Sequence, residues 1–437
     1  MNRIILIGNG FDLAHGLKTS YANFIDWYWD KRVLDLHALY SNESKDKLCT
    51  MKVLSDSIKT WQYFYWLNQS LIRSTSGREM INSISKDESN FSISETSFFS
   101  IINKTVSVNG WVDIENLYYR LLYPINEESP SYNRYKYYPK KLNDELAYIR
   151  SLLIEYLKSI QENCINESIV KQDLKNKLYA AFNPNDISIN AKPKLVEFVR
   201  QRYQFDSTIS WGGYSDWDEL LKAYDVKEIK EKKEEIKSFV QSNRDQVNFM
   251  GIESIVNNKF PNGLLFPDRV MLLNFNYTTT ADIYLSQNER FMVNHIHGRL
   301  TEPESVIFGY GDEIDENYKK IANKNDNKYL TNIKSIKYLE SPNYRNLLNF
   351  IESDTYQIYI MGHSCGNSDR TLLNTLFEHK NCVSIKPFYF IRKDGTDNYM
   401  ELVQNISRNF TDMKLMRDRV VNKTYCEPYS DARKTAS

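Results

Sequence analysis

The sequence predicts an α/β fold with a mostly parallel β-sheet and a large helical insertion. Three observations support this prediction. Short apolar runs typical of buried strands occur at residues 4–7 and again from about residue 268 onward. Turns or helical stretches separate the later runs, as in parallel sheets built from crossover connections. The long segment between these two regions has helical spacing instead.

The composition is that of a folded protein without charge bias. Of the 437 residues, 41% are hydrophobic and 14% aromatic, which argues against disorder. Lys plus Arg and Asp plus Glu each number 56, so electrostatics give no reason to expect nucleic-acid or membrane-surface binding. The five cysteines form no C-x-x-C pair, which argues against a zinc ribbon or a disulfide framework. No run has signal-peptide or membrane-spanning length, so a cytoplasmic protein is expected.

The first apolar run, IILI, predicts a buried central strand that ends at Gly8. A helix capped by Thr19 or Ser20 is expected next, through Trp29. Later strands are predicted at residues 269–277, 291–297, 305–310, 356–362 and 383–391. The simplest arrangement places the first run in the same sheet as these later strands.

Between the first and second strands the pattern is mainly helical. Helical spacing occurs at residues 145–163, 192–204 and 216–243, whereas the Ser-rich stretch 82–98 and the Tyr/Pro stretch 129–139 are typical of loops. The sequence thus predicts a discontinuous α/β domain, a helical insertion and a C-terminal tail. The expected bounds are 1–30 with 265–415 for the domain, 31–264 for the insertion and 416–437 for the tail.

The motif GNGFDLAHGL, Gly8 to Leu17, follows the first strand directly. Ligands of open α/β sheets bind beyond the carboxyl ends of the strands, where glycines let the backbone approach a phosphate. The G-x-G spacing is half of the dinucleotide fingerprint. A tight turn in which Asp12 makes local hydrogen bonds is the alternative.

The motif NFNYTTT ends another apolar strand. Asn274 and Asn276 lie on the same side of a regular strand, where an amide can hold a ribose hydroxyl or a water. An Asn that closes the strand-to-helix turn, with Thr278 as a helix cap, explains the same residues.

The motif NHIHGRL places His295 and His297 two residues apart. On a strand both would face one side, as metal ligands could, but a third ligand is needed and no H-E-x-x-H motif is present. Alternatively, His297 is a general base at a strand end.

The segment GHSCG, Gly362 to Gly366, fits the G-x-S-x-G nucleophile elbow of serine hydrolases, with Ser364 as the nucleophile. A triad in that order needs a later histidine, and only His379 follows, near the end of the next helix. A loop that packs near a nucleotide is the better interpretation, with Asp369 capping the next helix or bonding to a ribose.

One further acidic residue lies in the amphipathic stretch GWVDIENLYYRLL, residues 110–122. Glu115 is by default a surface charge. Alternatively, an inserted helix brings Glu115 to the site.

Five segments, ILIGNGFDLAHGLKTSYANF, WVDIE, NFNYT, HIHG and GHSCGNSD, together resemble the AbiH family of bacterial abortive-infection proteins. That family is in turn similar to the sirtuin-like NAD-binding domains of phage defence, which implies a Rossmann-like sheet. In this resemblance GNG matches the nucleotide loop, Asn276 the motif Asn, and His297 the catalytic His. The segment GHSCGNSD matches the turn that closes the nucleotide site. Two features differ from sirtuins: the zinc-binding C-x-x-C pairs are missing, and Thr278 replaces the usual acidic residue.

The resemblance implies an anti-phage effector that hydrolyses NAD to nicotinamide and ADP-ribose, with His297 and Asn276 as catalytic residues. NAD is the expected substrate and no metal is expected. The resemblance also implies that the discontinuous α/β domain binds the nucleotide and that the helical insertion has a regulatory or oligomerising role. Possible partners are a phage-derived trigger, a second copy of the chain, or a protein of the same defence system. The candidate nucleotide-binding residues are Gly8, Asn9, Gly10, Phe11, Asp12, Tyr277, Gly362, His363, Ser364 and Asp369. A serine hydrolase that uses Ser364, a nucleotide sensor without catalysis, and a nuclease or RNA-binding effector are the alternatives.

Overall fold

The computed structural model describes residues 1–38, 43–54, 76–86, 88–104, 111–122, 139–198, 265–285 and 289–433. The helix predicted over 216–243 lies outside the described residues, as do residues 129–138 and 199–204 of two other predicted stretches.

The strands are β1 (Asn2–Ile7), β2 (Glu43–Lys45), β3 (Cys49–Val53), β4 (Phe91–Glu95), β5 (Val270–Asn274), β6 (Phe291–His295), β7 (Tyr356–Met361), β8 (Cys382–Ile391) and β9 (Pro428–Asp431). The α-helices are α1 (Asn9–Ala14), α2 (Tyr21–Ala38), α3 (Gly77–Ile84), α4 (Ser97–Lys104), α5 (Trp111–Leu122), α6 (Pro139–Cys164), α7 (Gln172–Leu178), α8 (Glu316–Ala322), α9 (Lys334–Lys337), α10 (Asn343–Ser353), α11 (Arg370–Glu378), α12 (Tyr399–Arg408) and α13 (Met413–Arg419).

The chain divides into two compact units. The first, called here the sheet unit, comprises Met1–Leu17, Cys164–Val306 and Lys337–Ser437. The second, the inserted unit, comprises Lys18–Asn163 and Ile307–Ile336. These bounds differ from those expected from the sequence. Helix α2 belongs to the inserted unit, and the segment expected to be a tail contributes β9 to the sheet.

The sheet unit is built on a six-stranded sheet in the order β6-β5-β1-β7-β8-β9. All five pairings are parallel, so the predicted parallel α/β fold is confirmed. Strand β1 is central and buried along its whole length, which explains its β-branched apolar run. This strand order is that of a doubly wound sheet, in which the order reverses beside the first strand and ligands bind at the reversal. The carboxyl ends of β1 and β7 flank that point.

Buried polar side chains fix part of the strand register. The guanidinium of Arg3 on β1 donates to Oε1 of Gln357 at 3.1 Å and lies 4.1 Å from the ring centre of Tyr359, both on β7. On the neighbouring β8, Nζ of Lys386 lies 3.0 Å from Oδ2 of Asp186. A one-residue slip would move these groups to the opposite face of the sheet, so they oppose a change of register.

The inserted unit combines helices with a three-stranded antiparallel sheet, in the order β2-β3-β4. The predicted helix start is confirmed, because Oγ of Ser20 accepts from the backbone N–H of Asn23 at 3.2 Å. The predicted helix over 145–163 is confirmed within α6, and that over 110–122 within α5. Two sequence predictions are wrong. The stretch 82–98 contains β4, and SVIFGY at 305–310 forms no strand, only an isolated bridge between Tyr310 and Ile333.

None of the described helices combines the length and apolar character required to cross a lipid bilayer.

Candidate functional site

The candidate site is formed by the loops that follow β1, β5, β6 and β7. These strands are parallel neighbours, so their carboxyl ends meet at one edge of the sheet. Most of the residues singled out from the sequence lie in these four loops. The sheet therefore brings together motifs that are far apart in the chain.

The loops after β1 and β7 pack directly against each other. A Cβ on Gly8 would lie 2.8 Å from the carbonyl oxygen of Gly362, and a Cβ on Gly10 would lie 2.8 Å from its Cα. A Cβ on Gly362 would lie 2.1 Å from the nitrogen of Phe11, and Gly362 has a φ of +75°. Glycines are required here because the two backbones leave no space for a side chain.

Three amide groups at the contact between these two loops are used internally. The N–H of Gly10 donates to the carbonyl of Gly362 at 2.9 Å, and that of Phe11 to the carbonyl of Gly8 at 2.8 Å. The N–H of Gly8 donates to the carbonyl of Met361 at 3.3 Å. A phosphate could be bound by these amides only if the hydrogen bonds between the loops were broken.

The other residues predicted in this loop have different surroundings. Phe11 is fully buried, and its ring centre lies 5.3 Å from that of Tyr284, so it belongs to the core. Asn9 is half-buried at the start of α1. Tyr277 is half-buried, with its ring centre 6.5 Å from that of His297.

The loop after β5 is shaped by its own amide side chains. Oδ1 of Asn274 accepts from the N–H of Asn276 at 3.0 Å, and its Nδ2 donates to the carbonyl of Thr278 at 3.0 Å. Asn274 therefore closes the turn, as the structural interpretation of the motif predicted. Nδ2 of Asn276 donates to the carbonyl of Gly8 at 3.1 Å and so joins this loop to the loop after β1.

Asp12 lies beneath these two loops and is 1% exposed. Its Oδ2 accepts from the hydroxyl of Thr278 at 2.7 Å. Burial raises the pKa of Asp12 to about 6, against the opposing effect of hydrogen bonds led by that from Thr278. Thr278 is thus the partner of a carboxyl on α1.

The two histidines at the end of β6 have different partners. Nε2 of His295 lies 3.0 Å from Oδ2 of Asp282, and Nε2 of His297 lies 3.1 Å from Oδ1 of Asp369. His295 is the last residue of β6, whereas His297 lies in the turn beyond it, which Gly298 continues with a φ of +85°. The same-side geometry expected for metal ligands on a strand is therefore wrong. Within the described ranges, no group of three or more His, Cys, Asp or Glu side chains is arranged to hold a metal ion.

Asp369 lies between two imidazoles. Its Oδ1 is 3.1 Å from Nε2 of His297, and its Oδ2 is 3.7 Å from Nε2 of His363. Nδ1 of His363 accepts from the N–H of Cys365 at 3.1 Å, so a neutral His363 carries its proton on Nε2, facing the carboxylate. All three side chains are less than a tenth exposed, which strengthens the electrostatic interaction between them.

Aromatic rings surround this His-Asp-His cluster, which consists of His297, Asp369 and His363. The ring centre of Phe275 lies 5.1 Å from that of His297 and 4.1 Å from that of His363. The hydroxyl of Tyr338 lies 3.2 Å from Nε2 of His297, and the two rings are nearly parallel. Tyr338 was missed because it begins a short 3₁₀ helix, Tyr338–Glu340, that carries no motif. Phe275 was missed because, in the sequence, it continues the apolar run predicted to be a strand over residues 269–277.

Ser364 lacks the surroundings of a nucleophile. It is exposed, and its carbonyl accepts from Nδ2 of Asn405 at 2.9 Å. Among the non-glycine residues of this turn, the left-handed φ, +54°, belongs to Cys365 and not to the serine. His379 is bound to Glu352 at 3.1 Å and its ring is stacked on that of Tyr356, at the opposite end of β7. The structure therefore does not bring Ser364 and His379 together, as the serine-hydrolase alternative would require.

Glu115 has its partner inside the inserted unit. Nζ of Lys334 lies 2.9 Å from its Oε1 and 3.0 Å from its Oε2, and the N–H of Gly309 donates to Oε1 at 3.3 Å. Both charged side chains are buried, so Glu115 is not a surface charge. These contacts give it a structural role within its unit.

Comparison with known proteins extends the resemblance over most of the chain. The model of the family described as bacteriophage abortive infection AbiH matches residues 4–391. The chain belongs to the AbiH family. All four loops of the candidate site lie within the matched residues of this AbiH protein, whereas β9 lies beyond them. No significant similarity to a curated protein or to a solved structure was found.

Proposed function

We propose that this AbiH protein hydrolyses the nicotinamide–ribose bond of NAD. The observation that supports the proposal is the His-Asp-His cluster, at the carboxyl edge of a doubly wound sheet and beside its point of reversal. In the reaction the C1′–N bond breaks and its electron pair stays on nicotinamide, which leaves as a neutral molecule. The oxygen of water bonds to C1′ and one proton is released. Loss of NAD would act within the abortive-infection role of the family.

His297 is the proposed general base. The carboxylate of Asp369, 3.1 Å from Nε2, favours the tautomer with the proton on that nitrogen. Nδ1 then carries the lone pair, which can take a proton from water or from a ribose hydroxyl. A positioned base of this kind contributes roughly 10²- to 10⁴-fold in rate.

Asp369 is proposed to act electrostatically. The transition state is oxocarbenium-like, so positive charge develops on the ribose as nicotinamide leaves. A buried carboxylate beside the ribose stabilises this charge more strongly than it would in water. The proton on Nε2 of His363 would keep the carboxylate oriented.

The loops after β1 and β5 are proposed to position the substrate. Asn276 bridges these two loops through the carbonyl of Gly8, so its side chain is held at the edge of the sheet. We assign it to orienting the ribose or the attacking water. The buried rings of Phe275 and Tyr338 limit access of other water molecules.

The test is incubation of the purified protein with NAD, with nicotinamide and ADP-ribose followed by mass spectrometry. His297→Ala is expected to remove product formation and to leave the melting temperature within a few degrees of that of the unmodified protein. His379→Ala is the matched control, because His379 lies at the far end of β7, and it should retain the activity. Equal rates in His297→Ala and the unmodified protein would refute the assignment. Binding of NAD without any product would favour a nucleotide sensor.

A further inference from the structure

Strand β9 lies beyond the residues matched by the family model but belongs to the central sheet. It pairs in parallel with β8, with Pro428 beside Tyr389 and Ser430 beside Phe390. The N–H of Ala432 donates to the carbonyl of Ile391 at 2.9 Å. The C-terminal segment is therefore fixed to the same sheet that carries the candidate site.

Helix α7 anchors β9 from a second side. Nζ of Lys177 donates to the carbonyl of Pro428 at 2.7 Å and lies 3.8 Å from Oε2 of Glu427. These contacts involve the two residues immediately before Tyr429. Its backbone position is therefore held by the sheet and by a helix.

The side chain of Tyr429 reaches the loop after β1. It is half-buried and packs against the core cluster that includes Phe11 and Met361. Its hydroxyl oxygen would lie 2.6 Å from a Cβ placed on Gly10. The hydroxyl thus occupies the space beside the second glycine of the GNG motif.

This hydroxyl has no hydrogen-bond partner among the residues that the structure describes. Burial raises the pKa of Tyr429 to about 12, so the phenol keeps its proton at neutral pH and can donate. The neighbouring amides of Gly8, Gly10 and Phe11 donate to backbone carbonyls. A phosphate beside this loop could use these three amides only if their hydrogen bonds were broken, whereas the Tyr429 hydroxyl, next to the loop, is a further donor.

We propose that Tyr429 is a substrate-binding residue whose hydroxyl donates a hydrogen bond to a pyrophosphate oxygen of the dinucleotide. The inference rests on the proposed function, since it takes the substrate to be NAD bound at the point where the strand order reverses. It adds a residue from outside the family match and assigns it to the phosphate part of the substrate. The pyrophosphate is remote from the bond that breaks, so this contact acts on binding and not on the chemical step.

Tyr429→Phe removes only the hydroxyl and tests the proposal directly. The Kd for NAD, measured by calorimetry on a protein inactivated by His297→Ala, should rise about fivefold to tenfold. In the active protein KM should rise by a similar factor with kcat unchanged. Tyr425→Phe is the control, because Tyr425 is 44% exposed in the same C-terminal segment, and it should change neither constant.

Nicotinamide riboside, which has no phosphate, separates a phosphate contact from a general effect on the site. Its Kd should be the same with and without the Tyr429 hydroxyl. Unchanged NAD affinity in Tyr429→Phe, or equal losses for NAD and nicotinamide riboside, would overturn the assignment. If the protein binds NAD with the Tyr429 effect but releases no nicotinamide, hydrolysis fails and the binding role stands. If it binds no NAD, both proposals fail.

Discussion

Nε2 of His297 and Oδ1 of Asp369 lie 3.1 Å apart, although the strands that precede them, β6 and β7, are separated in the sheet by β5 and β1. The two loops therefore meet above the intervening strand ends. A pair formed in this way depends on the whole edge of the sheet, because each partner is placed by a different strand.

We predict that Asp369→Asn lowers kcat for nicotinamide release by about 10²-fold or more, since the substitution removes the charge that orients His297. Asp282→Asn is the matched control, because Asp282 makes the same kind of pair with His295. It should retain most of the activity. Initial rates with NAD would measure both effects, and equal losses in the two variants would contradict a specific role for Asp369.

Asp12 is expected to make the free energy of unfolding decrease as the pH rises. The pKa of its carboxyl is about 6 in the folded protein, against 3.8 for the ordinary group, so between about pH 4 and pH 6 the folded state binds more protons than the unfolded state. The free energy of unfolding therefore falls as pH rises through this window and is level above it. Asp12→Asn should remove this fall and raise stability at pH 7, by up to about 3 kcal/mol.

Urea unfolding followed between pH 4 and pH 8 would measure the effect of Asp12→Asn. The exposed Asp173 on α7 provides the control, since Asp173→Asn should leave the pH profile unchanged. A lower stability of Asp12→Asn at pH 7 would show that the hydrogen bond from Thr278 outweighs the cost of burying the charge.

Ser364 is expected to be unreactive. The unmodified protein should not be labelled by a fluorophosphonate, because no imidazole in the described residues is placed to take the Ser364 proton in a serine-hydrolase triad. Ser364→Ala should keep kcat for NAD within about twofold of the unmodified value, because a residue that only binds the nucleotide affects KM. Labelling that disappears in Ser364→Ala would restore the serine-hydrolase interpretation.

The pair of Glu115 and Lys334 should be needed for the folding of the inserted unit. Glu115→Ala leaves a buried ammonium without its carboxylate, which typically costs about 3 to 5 kcal/mol. Glu115→Leu combined with Lys334→Met removes both charges and should recover most of that loss. Hydrogen exchange of the inserted unit would measure the changes. A mild effect of Glu115→Ala alone would show that the pair is dispensable.

The sheet could largely be predicted from its apolar runs. Strands β1, β5 and β7 are buried along their whole length, and β6 and β8 along most of theirs, so each leaves a largely apolar signal in the sequence. β9 gave no such signal, because its sequence PYSD is polar and lies at a half-buried edge. The apolar run at 305–310 led to a wrong strand prediction, because Val306, Ile307 and Phe308 are buried without belonging to a strand. A buried loop and a buried strand can therefore have the same run of apolar residues in the sequence.

The site could be predicted only in part, for a related reason. The positions of Asn276, His297 and Asp369 at strand ends follow from the motifs. The pairing of His297 with Asp369 and the contact with Tyr338 depend on which loops meet. The spacing of residues within one motif does not reveal which loops meet in the folded protein. The role of the glycines was also hidden, because a close approach to a second loop and a close approach to a phosphate require the same residue.

The central position of β1 has a consequence for synthesis of the protein. Its neighbour β5 is made more than 260 residues later, and β7 later still. At usual translation rates, roughly 15 to 50 seconds pass after the synthesis of β1 before β5 has been synthesised and can pair with it. During that time its backbone and isoleucine side chains are exposed to other nascent chains. Dependence on a ribosome-associated chaperone is therefore to be expected during expression, with aggregation of chains that end before residue 270.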